Sequence, residues 1–583
     1  MNYDRFEVAT VADLEREGMK VVTVAGQPIV VFASNGGFYA VEDRCPHMGF
    51  PLSKGTVKDG ILTCHWHQAR FDLCSGCSFD RFADDTPVFD TSVDNGIVYV
   101  CSQPRRAPDA AYFSQGLIRG MEQNSGFTIA RSLVMLRRLE IDWSTIIGQV
   151  AQFASSNGES FGTGSTILTI VANLQPRLTE QTMLFAMFRA VREIAGQTMN
   201  AAPRRPVGPL TAGDHSMALL KRWYRHWVQS RHGDAAERVL LTALHRQALE
   251  TGADKAIVDL TAGAATDRIY DSGGHLLDNV NKMMELLDHV GWEQAEATYP
   301  LLTDAMASGR GAEEASHWHH PIDIVTPLRD VEARLPELLA AGAGKSWQQD
   351  DSLLPTLLGD DPLAILAALE DALIAGATPL QLAQGVCYAA ALRLARFGLS
   401  NEVGDWFGPQ HAFITANAMH RLLQRCTTPD VARGVFHSAI TVYMDRFLNI
   451  PPAALPGEAG GLDHLSTDAN ELLSAMLDAL DRKDRTELLA ELVSRYVELG
   501  HPFDALVDRL MYATVREDVN FHYFQVLEAA VSQVADQPHA PQSAHILVGI
   551  ARNLSAICPT ARASLQLITV AARLSKGERV HEG

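Results

Sequence analysis

Cys45-Pro46-His47 and, after a gap of sixteen residues, Cys64-His65-Trp66-His67 decide how the first part of this chain folds. Cys-x-His from one loop and Cys-x-x-His from a second supply two thiolates and two imidazoles. That is the donor set of a [2Fe–2S] centre with sulfur on one iron and nitrogen on the other. Each loop gives one sulfur and one nitrogen, so the two loops clamp the centre from opposite sides. The flanks agree. Pro46 stiffens the first loop, and Gly49, Pro51, Leu52 and Gly55 form a tight shield beside it. Gly60-Ile61-Leu62-Thr63 and Arg70-Phe71-Asp72-Leu73 read as the strands that enter and leave the second loop.

On these motifs, residues 1–104 resemble the Rieske ferredoxins and the Rieske domains of ring-hydroxylating oxygenases. The resemblance implies that Cys45 and Cys64 bind one iron, and His47 and His67 the other. Respiratory Rieske proteins carry an extra Cys in each loop, joined as a disulfide. Here Phe50 and Trp66 stand in those places. They also carry Ser and Tyr after the second loop, where this chain has Ala69 and Phe71. Hydroxyl hydrogen bonds to the cluster raise its potential, so their loss points to the low end of the Rieske range. Gln68 stands where Gly commonly follows the last His.

With 583 residues, 47% hydrophobic and 20% charged, the chain is long enough for several domain-sized units. A net charge of −20 argues against nucleic acid and against an anionic membrane surface. No apolar run of about eighteen residues occurs, so no transmembrane helix is expected. The N-terminus, Met1-Asn2-Tyr3-Asp4-Arg5-Phe6-Glu7, lacks the pattern of a signal peptide. The Cys beyond the two loops show no paired secretory spacing, and a cytoplasmic location is expected.

The expected fold is multidomain: a small all-β Rieske domain, then a large all-α part of stacked helical hairpins. Strands are expected at 21–24, 29–32, 38–42 and 96–101, and a linker over Ser102–Pro108. Domain segments are expected at 1–104, 105–205 (helical, with the linker), 206–450 (His-rich) and 451–583 (C-terminal helical). Helices are expected at 131–154, 181–194, 216–250, 276–290, 362–375, 380–397, 412–426 and 487–499. Breaks are expected at 202–209 and 451–461. A faint repeat runs through the helices. His275 is followed by Asn281 and His411 by Asn417; 544–553 is a looser copy and 165–174 a copy without the His.

Eighteen of the 21 His lie beyond the expected linker, which raises the question of a second metal. Oxygen-activating non-haem iron takes imidazole and carboxylate ligands with open positions. Glu285 and His289, four apart, share a helix face, and His275 pairs similarly with Asp278. His275 and His289 would lie about 21 Å apart along one helix and cannot share a metal. The candidate ligands are therefore Glu285, His289, His275, His411, His437 and His545, drawn from several helices. His317-Trp318-His319-His320-Pro321 is a further cluster in an expected loop. Cys74-Ser75-Gly76-Cys77 reads as two reduced thiols in a turn, since no second Cys-x-x-Cys completes a zinc site. No nucleotide-binding fingerprint is complete.

The catalytic domain of ring-hydroxylating oxygenases is mixed α/β and carries Asp-x-x-His-x-x-x-(x)-His. The nearest passage here, from Glu402-Val403-Gly404-Asp405 to His411, has the wrong spacing. The His-led helical segments instead resemble, in part, the questin oxidase family, which performs oxidative ring opening of the Baeyer–Villiger kind. The expected function is thus an oxidoreductase in which the [2Fe–2S] cluster passes electrons to a metal- and O2-dependent site in the His-rich helical domain, acting on a small organic molecule. An external donor such as a ferredoxin reductase would supply the electrons, and a homo-oligomer is compatible with the sequence. The alternative is a redox-sensing or electron-transfer protein whose helical array binds a partner.

Overall fold

Four two-residue turns set the register of the N-terminal part. Ala25-Gly26, Asn35-Gly36, Asp59-Gly60 and Asn95-Gly96 all have positive φ at both positions, the geometry that matches the twist of antiparallel hairpins. The computed structural model describes residues 4–205, 207–247, 253–348, 350–458 and 460–578. Its strands are β1 (Arg5–Thr10), β2 (Met19–Val24), β3 (Gln27–Ser34), β4 (Gly37–Glu42), β5 (Thr56–Lys58), β6 (Ile61–Thr63), β7 (Arg70–Asp72), β8 (Val88–Asp94) and β9 (Ile97–Arg106). Six form an antiparallel sheet in the order β1-β9-β8-β4-β3-β2, and β5-β6-β7 form a second. β3 is apolar on both faces because both are buried. Ile29 and Val31 join one core, while Val30 and Phe32 join a second that holds Cys45, Cys64, Leu62 and Phe71.

The expected linker at 102–108 is largely strand. β9 runs on through Ser102, Gln103, Pro104 and Arg105 to Arg106, with Pro104 opposite Phe89 at a register irregularity, a position where a sheet tolerates proline. The expected helix 131–154 is two, Gly126–Arg138 and Trp143–Asn157, separated by a turn with Glu140 at φ +58. Similarly, 216–250 is Met217–Gln229 and Gly233–Gln247, broken at Arg231 with φ +64; its expected end at Glu250 lies outside the described residues. The breaks at 202–209 and 451–461 contain no helix or strand among their described residues; Pro206 and Ala459 are outside them.

The chain divides into two compact units, one up to Trp143 together with the stretch from Leu565, the other Ser144–Ser564. The domain segments read from the sequence put their boundaries elsewhere, at 104/105, 205/206 and 450/451. In the first unit the helices Gly126–Arg138 and Gln566–Ser575 pack on each other. In the second, four helices close a ring. Thr163–Leu174 packs on His275–Val290, which packs on Phe407–Arg425, which packs on Phe521–Val534, which returns to the first. Among the described residues no helix is long and apolar enough to cross a membrane.

Candidate metal centres

The two N-terminal loops are built alike. The Cys45 amide donates to the Phe50 carbonyl (2.8 Å) and the Gly49 amide to the Cys45 carbonyl (2.8 Å). The Cys64 amide donates to the Ala69 carbonyl (2.8 Å), and the Gln68 amide to the Cys64 carbonyl (3.0 Å). Gly49 and Gln68 occupy equivalent places, both left-handed, at φ +76 and +62. Each tight turn thus aims one thiol and one imidazole the same way. The Cys45 and Cys64 thiols are buried and hydrogen-bonded to each other. That bond pushes the Cys45 thiol up and, with the Trp66 and His67 amides, holds Cys64 down. The His47 and His67 rings meet at 4.7 Å. The His47 Nδ1 is buried with no hydrogen-bond partner among the described residues. Paired thiols fed by amides and an orphaned buried imidazole nitrogen fit a group that takes sulfur on one side and nitrogen on the other.

The remainder of this unit covers the first loop. Phe82 and Phe127 close on the His47 ring at 5.0 and 5.7 Å. The Arg131 guanidinium donates to the Pro46 carbonyl and pairs with Asp84. The ring of Trp66, beside His67, is left 40% exposed.

In the helical unit, three imidazoles converge. His275 begins its helix, His522 lies in the first turn of Phe521–Val534, and His411 lies near the start of Phe407–Arg425. The His522 Nε2 stands 2.9 Å from the His411 Nε2 and 3.3 Å from the His275 Nε2. The backbone before His275 is built for this approach. Tyr270, Ser272, Gly273 and Gly274 all have positive φ, and a Cβ on Gly274 would lie 1.9 Å from the Thr415 Oγ1. Burial and mutual repulsion push His522 down to about 3 and His411 to about 4, and burial lowers His275. In all three, burial disfavours the charged imidazolium, the form that cannot ligate a metal.

The ring interior stays polar beyond the histidines. The Gln525 amide donates to the buried Asp278 carboxylate (2.5 Å). Further along, the Lys282 ammonium, 1% exposed, donates to Glu285 (2.8 Å) and Glu528 (2.6 Å). The Asn173 amide bridges the same two carboxylates at 2.8 and 3.0 Å. Burial opposes the Lys282 charge, but the surrounding carboxylates hold its pKa above the ordinary value. Asn173, Glu285, His289 and Glu528 then line a polar cleft of about 1030 Å³.

Residues 4–89 match the family model of the Rieske [2Fe–2S] domain. Through this domain, the chain belongs to the Rieske [2Fe–2S] family. Ferredoxin CarAc of Metapseudomonas resinovorans is 29% identical over 107 residues, which are 18% of this chain and 100% of that protein. The ferredoxin component of the naphthalene 1,2-dioxygenase system of Pseudomonas putida is 30% identical over 70 residues, 12% of this chain and 67% of that protein. Apoptosis-inducing factor 3 of Homo sapiens is 34% identical over 95 residues, and the chain spans only 16% of its length. These similarities cover the Rieske segment alone. A Rieske domain implies a [2Fe–2S] cluster and one-electron transfer.

Beyond the Rieske domain, the structure brings together only some of the histidine and glutamate candidates. His275 and His411 meet. Glu285 is held by Lys282, Asn173 and the Asn281 amide. The His289 Nε2 lies 2.7 Å from the Asn173 Oδ1. His437 pairs with Glu332 at 2.7 Å, and the Tyr388 hydroxyl lies 2.8 Å from the His545 Nδ1. None of these four joins the triad among the described residues. In the 317–321 cluster, the His319 Nε2 is 2.9 Å from the Glu313 carbonyl. Cys74 and Cys77 are free thiols, and the Arg106 guanidinium donates to the Cys77 sulfur at 2.6 Å. The member of this triad missed in the sequence is His522. The signal was there: Glu528 follows it by six residues, as Asn281 follows His275 and Asn417 follows His411.

Proposed function

We propose that this chain is an oxidoreductase whose Rieske domain supplies single electrons to a metal- and O2-dependent oxidation of a small organic molecule in the helical unit. Cys45, His47, Cys64 and His67 would hold the cluster, which when bound supplies a reversible one-electron carrier. The observation that carries the reading is the pairing, in one chain, of a Rieske domain with a helical unit whose interior gathers three imidazoles beside buried ionisable groups. Oxygen-activating non-haem iron uses imidazole and carboxylate ligands with open positions; the three imidazoles gathered here would supply the nitrogen part of such a set. The 1030 Å³ cleft, at the His289 end of the ring, is large enough for a small organic molecule, and its lining includes none of the three imidazoles. Its lining, including Arg177, Arg421, Gln384 and Tyr388, is rich in hydrogen-bonding groups.

Related ferredoxins belong to oxygenase systems, as the naphthalene dioxygenase component does by name. By that analogy an external reductase of the cytoplasm would be the electron source. The test is iron analysis of the anaerobically purified full chain, followed by single turnover of the reduced protein with O2. A third iron beyond the two of the cluster, and O2 uptake lost in His67→Cys, are expected. Two iron per chain, with O2 uptake unchanged by His67→Cys, would leave a carrier or sensor and refute the proposal.

A further inference from the structure

We infer that His275, His411 and His522 are the ligands of one divalent first-row transition-metal ion, bound at one end of the four-helix ring with its remaining positions open. This deepens the function proposed above by placing its metal, and rests on that reading only for iron as the metal in use.

The His522 Nδ1 lies 3.1 Å from the Asn520 Oδ1, which can only accept. His522 therefore carries its proton on Nδ1, and its Nε2 presents a lone pair. That single lone pair faces two nitrogens, the Nε2 of His411 and of His275, at 2.9 and 3.3 Å. One N–H can lie along it; the other contact stays unsatisfied. A cation among the three nitrogens satisfies all of them at once. The two contacts of His522 suit one, and the ligand atoms of all three rings lie within 4.8 Å of one another. A metal about 2.0–2.1 Å from each imidazole nitrogen sets neighbouring nitrogens about 3 to 3.4 Å apart for bond angles from about 90° to tetrahedral.

The surroundings have the properties of a metal shell. Asn520 caps its helix through the same oxygen that orients the His522 ring, the kind of outer partner that fixes a ligand's tautomer. Phe521 and Phe407 close on the site, with rings 5.5 Å from His275 and 5.3 Å from His522. No carboxylate joins the group among the described residues; Asp278, one turn from His275, is engaged by Gln525. Three protein ligands with the rest open is the pattern of reactive sites, where structural sites are closed by four. Each imidazole sits at or near the start of a different helix of the ring, so the site is framed by rigid elements, as bundle-core metal sites are.

The experiment is titration of the chelator-treated full chain, cluster retained, with Co2+ under anaerobic conditions. One equivalent is expected to give ligand-field absorption and raise Tm, and Zn2+ is expected to displace it. His411→Gln and His522→Gln preserve bulk and polarity and are expected to weaken binding by at least about tenfold, with the cluster spectrum intact. Should either fail to fold, Asn520→Ala, which removes only the orienting partner, is expected to weaken it by about 10- to 100-fold. His545→Asn is expected to leave it unchanged. Substoichiometric Co2+ binding, or histidine variants that bind as the parent does, would overturn the inference. One tight Co2+ in a protein that holds no third iron as purified would uphold the site while removing the iron-dependent reading.

Discussion

Lys282→Met isolates what the buried charges of the helical ring contribute. The ammonium is 1% exposed and lies 2.8 Å from Glu285 and 2.6 Å from Glu528, whose side chains are 6% and 5% exposed. Without it, two carboxylates share the amide of Asn173, and the Arg421 Nε, 3.7 Å from Glu285, remains as the nearest cation. One negative charge is left buried and unpaired. Breaking a buried pair from one side costs about 3–5 kcal/mol, whereas replacing all partners by neutral groups of similar volume is near neutral. Burial already raises the Glu528 pKa, and loss of Lys282 raises it further. A carboxyl with a raised folded-state pKa loses stability as pH climbs from its unfolded value toward the folded one. The loss is therefore expected to be largest near pH 8 and smaller near pH 5. Thermal melts of the helical transition by far-ultraviolet circular dichroism, at both pH values, measure it. The triple variant Lys282→Met/Glu285→Gln/Glu528→Gln is expected to recover most of the stability. A Lys282→Met protein that melts like the parent at both pH values would refute the assignment of a fully desolvated charge cluster.

Asp278→Asn tests the neighbouring carboxyl, which burial pushes up to about 7 from 3.8. The folded state then holds a proton that the unfolded chain releases, so the native protein loses stability between about pH 4 and pH 7, by about 4 kcal/mol at most. The Asn variant is expected to be more stable than the parent above pH 7 and equal to it below pH 4; melts across that range check this. The Rieske midpoint is expected near −150 mV, because Ala69 and Phe71, both fully buried, offer the cluster no hydroxyl. Redox titration followed by electron paramagnetic resonance decides it, and a midpoint above about +100 mV would mean another donor takes their place.

Much of the Rieske domain was legible because its information is local. The Cys-x-His and Cys-x-x-His motifs and the Gly-ended turns act over a few residues. The linker was misread because Pro104 signals a break unless its strand partner, Phe89, is known to sit at an irregularity. The helix breaks at Glu140 and Arg231 use left-handed residues with charged side chains, which carry no glycine or proline flag. In the helical unit, the i,i+4 spacing of Glu285 and His289 was real, but spacing along one helix does not reveal what the facing helix brings. Lys282 of the same helix and Asn173 of a facing one donate to Glu285 and share themselves with Glu528. His522 escaped notice because the repeat that marks His275 and His411 continues there with Glu in place of Asn.

The central claim, that the Rieske domain feeds a metal site in the helical unit, is tested most directly by the speed of reoxidation. The anaerobically reduced full chain is mixed with O2 in a stopped-flow instrument, and return of the oxidised cluster absorbance is followed in the parent and in His522→Ala. Loss of the metal is expected to remove the fast phase in His522→Ala, leaving only slow direct reoxidation, with the cluster spectrum unchanged. Identical reoxidation traces for the two proteins would contradict the account.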